Sequence, residues 1–294
     1  MVPVLGAGGG TGRSTIVGLI ASYLCTTGTT VVLDTAPWLV SHWPAWAADP
    51  GAGVASVPPD RRMTPSDVRA AASRCSGPDG DWQVLTDHQE WSSAPLHLPA
   101  EPAAWYQLAA AGGWQVVIGD TAHPMAHDIV SARSHRVACL TAGWCSLPCS
   151  VPVLAVPATG PGVSALQIAV RTASAEGLPL QRMVVALTET GEGRVPAVVR
   201  AAATMLQSQV AQVVIVPYEP RIRAGGLAEA HLLASRKLRD AVEDLGRAVL
   251  SSAHRSWGDP LPAAPAPAAA PPVPGPPPAV LPARTALAEE EVPA

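Results

Sequence analysis

Lysine and phenylalanine are almost absent from this sequence of 294 residues: it has one lysine, Lys237, and no phenylalanine. Arginine therefore supplies nearly all of the 19 basic side chains, and 23 acidic side chains give a net charge of −4. A protein that holds nucleic acid through a basic face carries an excess of positive charge. The composition therefore gives no strong signal of nucleic-acid binding. Because Lys237 is the one lysine, a cationic site at any other position of the chain must use arginine.

Cysteine is also sparse, and its five positions form no recognisable pattern. The count is odd, and Cys145 and Cys149 stand four residues apart rather than in the Cys-x-x-Cys spacing of metal or redox sites. The N-terminus does not resemble a secretory signal. We therefore expect free thiols in a reducing compartment, which predicts a cytoplasmic location.

A long, uninterrupted apolar run is missing as well. Residues 137–170 contain no charged side chain, but four prolines interrupt them, at positions 148, 152, 157 and 161. No stretch reaches the ~20 consecutive apolar residues that a membrane-spanning helix needs. We expect no transmembrane segment, and in this region a buried helix followed by a central strand.

Short valine-rich runs alternate with helical patterns along residues 1–256. Strands that are apolar on both faces and alternate with helices indicate an α/β fold, with a mostly parallel sheet covered by helices on both faces. We predict strands at residues 2–5, 30–34, 82–86, 115–120, 151–156, 183–187 and 212–216. We predict helices at residues 16–24, 66–73 with Ser66 as N-cap, 102–111 before Gly112 and Gly113, 163–176, 195–209 and 235–252.

Two segments differ from this pattern. Residues 257–294 are rich in proline and alanine, and we predict a disordered, partly polyproline-II tail that serves as a spacer or a docking strip. The predicted domain therefore spans residues 1–256. Residues 35–65 are irregular and contain Trp38, Trp43 and Trp46, whose indoles either pack on the domain or form a partner-binding surface.

The first predicted strand leads through a glycine-rich turn into a helix. The turn reads Gly6-Ala7-Gly8-Gly9-Gly10-Thr11-Gly12-Arg13-Ser14-Thr15. Glycines allow backbone N–H groups to face inward, and the helix N-terminus adds a positive partial charge, so this context is typical of a phosphate-binding loop. The usual P-loop pattern has glycine and lysine where this chain has Ala7 and Arg13.

Two carboxylates stand at the ends of predicted strands. Asp34 ends the strand at residues 30–34, and Asp120 ends the strand at residues 115–120. Ligands of open α/β sheets bind at the carboxyl ends of the strands, which is also where the glycine-rich turn begins. We therefore expect these two carboxylates and the turn to meet in one site.

Together these segments resemble the ParA/MinD family of P-loop ATPases over about residues 2–250. The family's loop, K-G-G-x-G-K-[ST]-T, aligns with residues 8–15, and residues 116–121 are similar to its Walker B strand. The resemblance implies bound ATP and Mg²⁺. It implies phosphate contacts from Gly8, Gly9, Gly10, Thr11, Gly12, Arg13, Ser14 and Thr15, nucleoside contacts from Thr188 and Pro217, and metal contacts from Ser14, Asp34 and Asp120.

The departures from the family fall on positions to which the resemblance gives functional roles. The family's signature lysine is Gly8 here, its Walker lysine is Arg13, its water-orienting aspartate is Ala36 and its adenine-reading asparagine is Thr188. Phosphoryl transfer depends on positioned charge, and one general base is worth ~10²–10⁴-fold in rate. We therefore assign no catalytic residue, and we expect nucleotide binding with weak or lost hydrolysis.

Two functions follow from this resemblance. The first is an ATP-dependent dimerisation switch, in which a homodimer recruits a protein partner in a positioning, partition or secretion system. The second is a nucleotide-independent pseudo-ATPase scaffold of a pilus-assembly or secretion system, whose partner surface would be residues 38–46 or the tail. The retained Ser14 and Asp120 favour the first function, whereas Arg13 and Ala36 favour the second.

Overall fold

The computed structural model describes residues 1–58, 62–89, 92–94, 96–227 and 235–259. These residues form an eight-stranded sheet with helices packed on it. The order of its strands is β3-β4-β2-β5-β1-β6-β7-β8. The strands are β1 (Val2–Gly6), β2 (Thr30–Asp34), β3 (Ser73–Ser76), β4 (Asp81–Leu85), β5 (Val116–Pro124), β6 (Val153–Pro157), β7 (Val184–Thr188) and β8 (Gln212–Val216).

Helices connect and cover these strands. They are α1 (Arg13–Leu24), α2 (Trp43–Trp46), α3 (Pro65–Ala71), α4 (Pro102–Gly112), α5 (Met125–His135), α6 (Leu140–Ser146), α7 (Gly160–Ala175), α8 (Ala197–Leu206), α9 (Pro220–Gly225) and α10 (Arg236–Trp257). None of the helices in the described residues is both long and apolar enough to cross a membrane.

Alternate residues of each central strand face opposite sides of the sheet, as the two-residue period of a strand requires. Val4 of β1 joins a core with α1, α2 and α10, whereas Leu5 joins a core with α5, α7 and α8. Beside the second core, Leu33 of β2 packs with α3 and α4. The predicted α/β fold, with helices on both faces of a mostly parallel sheet, is confirmed.

The topology brings β1, β2 and β5 together at the glycine-rich turn. Asp34 ends β2 as predicted, but β5 continues to Pro124, so the prediction that Asp120 ends its strand was wrong. β1 lies between β5 and β6, and the parallel pairing of β2 with β5 places Asp34 directly opposite Asp120. All neighbouring strands of the sheet are parallel except β3 and β4. The turn between β1 and α1 therefore lies at the same edge of the sheet as both carboxylates.

The start of α3 differs from the prediction. Thr64, and not Ser66, is the N-cap, because the Thr64 hydroxyl accepts from the Asp67 N–H at 3.3 Å while the Asp67 carboxylate accepts from the Thr64 N–H at 2.9 Å. Such a reciprocal capping box needs an acid three residues after the cap. Thr64 has that acid and Ser66 does not, so the assignment of Ser66 was wrong.

Several further elements were not predicted, among them β3, α5 and α9. Ser73, which we expected to be helical, is the first residue of β3, a four-residue strand that pairs antiparallel with β4. Residues 125–135 form α5, whose buried Met125, Ile129 and Ala132 have the i, i+4, i+7 spacing of a helix, so a helical signal was present in the sequence and was missed. Residues 137–170 contain the expected buried helix, α6, followed by the central strand β6.

The last helix extends to Trp257, and the tail prediction from Pro260 onward lies outside the described residues.

Candidate functional site

The glycine-rich turn leaves the N-terminus of α1 without a side-chain cap. Gly10 and Gly12 have φ values of +63° and +77°, which place them in the left-handed region that glycine adopts most readily. Gly12 is the N-cap of α1, no side chain bonds to the exposed N–H groups there, and no acid lies in the first turn. The first amides of α1 are therefore available to an anion, which the helix dipole also favours.

Arg13 crosses the base of the turn and reaches the end of β5. A Cβ atom at Gly6 would lie only 2.9 Å from Cδ of Arg13, so the arginine stem passes directly over this glycine. The Arg13 guanidinium donates to the carbonyl oxygen of His123 at 2.8 Å and to that of Ala122 at 3.2 Å. Burial lowers the pKa of Arg13 and the nearby Asp120 opposes that shift. The side chain keeps its charge because an arginine is not deprotonated in proteins.

Asp120 is buried, and its carboxylate is bonded by protein groups. The indole Nε1–H of Trp43 donates to Oδ2 of Asp120 at 2.8 Å, and the Ser14 hydroxyl bonds to the same carboxylate. Burial raises the pKa of Asp120, while these two hydrogen bonds and the charge of Arg13 lower it. Trp43 is itself 1% exposed, so this contact is closed to solvent.

Asp34 is buried beside Asp120 and accepts three hydrogen bonds. Its Oδ2 accepts from the Ser41 hydroxyl at 2.5 Å and from the Thr86 hydroxyl at 2.6 Å, and its Oδ1 accepts from the Ala36 N–H at 3.1 Å. Burial raises the pKa of Asp34 to about 7; the charge of Asp120 adds to the rise and the three hydrogen bonds oppose it. Near pH 7 the carboxyl group of Asp34 is therefore protonated in part of the molecules and ionised in the rest.

The three residues predicted to bind Mg²⁺, Ser14, Asp34 and Asp120, line one cavity. Mg²⁺ takes about six oxygen ligands in near-octahedral geometry. Asp120 accepts from Trp43 and Asp34 accepts from three donors, so both carboxylates keep acceptor positions that a metal-bound water could use. No group of three or more histidine, cysteine or acidic side chains among the described residues is arranged to hold a metal.

Two cavities meet at the turn. A phosphate-side cavity of about 430 Å³ is lined by Arg13, Ser14, Asp34, Ala36 and Asp120. A base-side cavity of about 310 Å³ is lined by other predicted nucleotide residues, Thr188 and Pro217, and by Tyr218 and Arg223. Both cavities are also lined by Gly10, Thr11, Gly12 and Thr15. Gly8 and Gly9 belong to the same turn, and a Cβ at either would meet nothing within 4 Å.

Two hydroxyl groups at this junction are buried without a hydrogen-bond partner. They are Oγ1 of Thr11, a residue that is 3% exposed, and Oγ1 of Thr188, which would lie 3.8 Å from a Cβ at Gly12. Buried polar atoms in folded proteins nearly always have a partner. Oγ1 of Thr11 would lie 3.0 Å from a Cβ at Gly6, on the β1 side of the turn, whereas Oγ1 of Thr188 lies at the end of β7, so the two groups border the turn on opposite sides.

Sequence reasoning missed the residues that hold the two carboxylates. Ser41 and Thr86 were not site candidates, and Trp43 was noted only as one of three tryptophans in an irregular segment. Thr86 directly follows β4, which pairs with β2, so its position at a strand end was the one available signal. The contact of Trp43 with Asp120 spans 77 residues and leaves no local pattern in the sequence.

Comparison with known proteins identifies solved structures that have a similar fold. No protein-family model matches the sequence, and no curated protein matches it. Solved structures do match: a ParA family ATPase from Chlorobium tepidum TLS has 12% sequence identity and a TM-score of 0.54 over 84% of this chain and 97% of that one. The cell division ATPase MinD of Pyrococcus furiosus has 15% identity and a TM-score of 0.51 over 85% and 98%. A McdA variant from Cyanothece in complex with ATP has 13% identity and a TM-score of 0.50 over 84% and 95%.

These likenesses show that the chain has the fold of ParA/MinD-type P-loop ATPases, as the sequence resemblance implied. At 12% to 15% identity they describe the fold, and the site has to be argued from its own residues.

Proposed function

We propose that this chain is a nucleotide-binding protein of the ParA/MinD type, in which ATP binding favours a homodimer that recruits a protein partner in a positioning, partition or secretion system. The observation that carries the proposal is the uncapped N-terminus of α1, which lies between two cavities and beside two unpartnered buried hydroxyls. Phosphates would lie against residues 8–15, and the nucleoside would lie in the base-side cavity near Thr188 and Pro217.

We propose further that hydrolysis is weak or lost. Ala36 lines the phosphate-side cavity where the family resemblance implies a water-orienting aspartate, and a methyl group cannot orient water. Arg13 uses two of its N–H groups on backbone carbonyls, and a guanidinium does not replace the point charge of a lysine in a narrow loop. Nucleotide binding would then act mainly through a shift in a monomer–dimer equilibrium.

The second candidate is the nucleotide-independent scaffold. The contacts of Arg13 with β5 and of Trp43 with Asp120 favour it, because they satisfy the site with protein groups alone. Leu39 and Val40, which are 63% and 67% exposed beside the phosphate-side cavity, offer apolar surface to a partner under either function.

A charge placed in the turn tests the nucleotide site. We expect Gly10→Asp to weaken ADP and ATP binding at least tenfold, because a carboxylate beside the phosphates repels them. Gly10→Asn is the matched control of almost the same shape. A Cβ at Gly10 meets nothing within 4 Å, and asparagine and aspartate both tolerate a φ of +63°. Isothermal calorimetry measures the affinities, and thermal unfolding checks that both variants fold.

The control should bind within about threefold of the parent protein, since its backbone N–H groups are unchanged. If the parent protein binds neither nucleotide, the scaffold replaces the switch as the proposed function. Sedimentation with and without ATP then tests the dimer: a doubling of mass that requires ATP supports the switch, and a mass independent of ATP contradicts it.

A further inference from the structure

We infer that the base-side cavity selects guanine over adenine, because it is lined by the carboxylate of Glu189, a group that pairs with the edge of guanine and not with that of adenine. The inference rests on the proposed nucleotide site and names the base that this site prefers. The proposed switch would then respond more strongly to GTP than to ATP.

Glu189 directly follows β7 and is held at the wall of the cavity by the end of β8. Its backbone N–H donates to the carbonyl oxygen of Val216 at 2.9 Å, and its Oε2 accepts from the backbone N–H of Tyr218 at 3.2 Å. A carboxylate has about four acceptor positions. Among the described residues no donor bonds to Oε1. Both oxygens of Glu189 therefore keep acceptor positions that a ligand in the cavity can use.

A carboxylate distinguishes the two purines by their Watson–Crick edges. Guanine presents two adjacent donors there, N1–H and the N2 amino group, which pair with the two oxygens of one carboxylate. Adenine presents the lone pair of N1, an acceptor, beside a single amino group at N6. Because an ionised carboxylate only accepts, an adenine in the same position would face it with an unpaired lone pair. Glu189 therefore favours guanine.

Arg223 adds a second element of discrimination in the same cavity. Its guanidinium lies beside the residues that follow β7, where Nη1 donates to the carbonyl oxygen of Thr190 at 3.4 Å. Arginine has five N–H donors and no acceptor, so the remaining donors of Arg223 suit O6 of guanine, the acceptor next to N1–H. Adenine carries its N6 amino group at that position, which would set a donor against a donor.

Thr188 gives no opposing preference for adenine. The family resemblance implies an adenine-reading asparagine at this position, and the chain has a hydroxyl group there. A hydroxyl rotates and can both donate and accept, so Thr188 can bond to either base or to the ribose. The choice of base therefore falls to the two charged side chains of the cavity wall, Glu189 and Arg223.

Calorimetry with GDP and ADP tests the inference on the parent protein. We expect GDP to bind about tenfold more tightly than ADP or better, because a site that pairs with the donors of a ligand rejects an analogue that lacks them. A smaller ratio, or tighter binding of ADP, would overturn the selection of guanine and leave the nucleotide site intact. Absence of binding by both would instead refute the nucleotide site itself, so the two failures are distinguishable.

Inosine diphosphate tests the second donor of the guanine edge. It keeps N1–H and O6 and lacks the N2 amino group, so we expect it to bind about threefold more weakly than GDP, or weaker still. Equal binding of the two nucleotides would overturn the two-point pairing with Glu189.

The variant Glu189→Gln tests the carboxylate. Its amide oxygen can still accept from the Tyr218 N–H, whereas its NH₂ group sets a donor against the N–H groups of guanine. We expect GDP binding to weaken about tenfold and ADP binding to stay within about threefold of the parent, so the preference is lost. Glu192→Gln is the matched control, because Glu192 is an exposed acid three residues further along the chain. It should keep the parental ratio, and retention of that ratio by Glu189→Gln would overturn the role given to Glu189. Thermal unfolding checks that both variants fold.

Discussion

Replacing Trp43 by alanine is expected to lower the free energy of unfolding by about 5 kcal/mol, the largest effect of any single substitution that we predict. Loss of a buried tryptophan side chain costs about 3–5 kcal/mol through the cavity that it leaves. Loss of the indole donor adds about 1–3 kcal/mol, because Asp120 is then a buried carboxylate with one fewer partner. For a domain of this size the melting temperature should fall by about 10–20 °C.

The matched substitution is Trp105→Ala, which removes an equally buried tryptophan that bonds only to a backbone carbonyl. Urea unfolding at pH 5 and pH 8 separates the two costs. Trp43→Ala should lose more stability at pH 8 than at pH 5. At the lower pH, protonation of Asp120 can remove the buried charge that the indole N–H no longer stabilises. The loss of stability for Trp105→Ala should be the same at both pH values. Equal losses for the two variants at both pH values would contradict the energetic role assigned to the indole–carboxylate contact.

The fold could be predicted from the sequence because its signals are local. Runs such as residues 30–34 and 212–216 have apolar, valine-rich centres, are short and are separated by helical patterns, and the structure has strands at those same residues. β3 could not be predicted in this way. It has four residues of alternating burial and follows α3 after one residue, so local pattern extends the helix through it.

The site was predictable only in part, for a related reason. The glycine-rich turn follows β1 and Asp34 ends β2, and Asp120 of the intervening strand β5 pairs with Asp34, so a parallel sheet brings all three together. The partners of those carboxylates come from a loop, from the residue after β4 and from a short helix, at separations of 7, 52 and 77 residues. A single sequence carries no signal that connects residues so far apart. The hydrogen bonds that the two carboxylates accept are therefore visible only in the three-dimensional structure.

Replacing Asp34 by asparagine is expected to make the protein more stable at pH 8 and to remove much of its pH dependence between pH 4 and pH 7. The pKa of Asp34 rises from 3.8 to about 7 on folding, chiefly because the carboxyl group is buried and also because Asp120 lies beside it. Between these two values the folded state holds a proton that the unfolded chain has lost. Stability therefore falls as the pH rises through this window, by an upper bound of about 4 kcal/mol.

Asparagine can keep three hydrogen bonds at this position, although the hydroxyl hydrogens of Ser41 and Thr86 lose the acceptor that the carboxylate gave them. Its amide oxygen can accept from the Ala36 N–H, and its NH₂ group can donate to the hydroxyl oxygens of Ser41 and Thr86, which rotate to accept. We therefore expect Asp34→Asn to gain about 2 kcal/mol over the parent protein at pH 8 and to differ little from it at pH 5.

Urea unfolding from pH 4.5 to pH 8.5 measures this difference directly, with Asp79→Asn as the control for loss of an exposed acid. The control should follow the parent profile. If Asp34→Asn instead runs parallel to the parent across the range, the hydroxyl and amide donors hold the carboxylate ionised in the folded state.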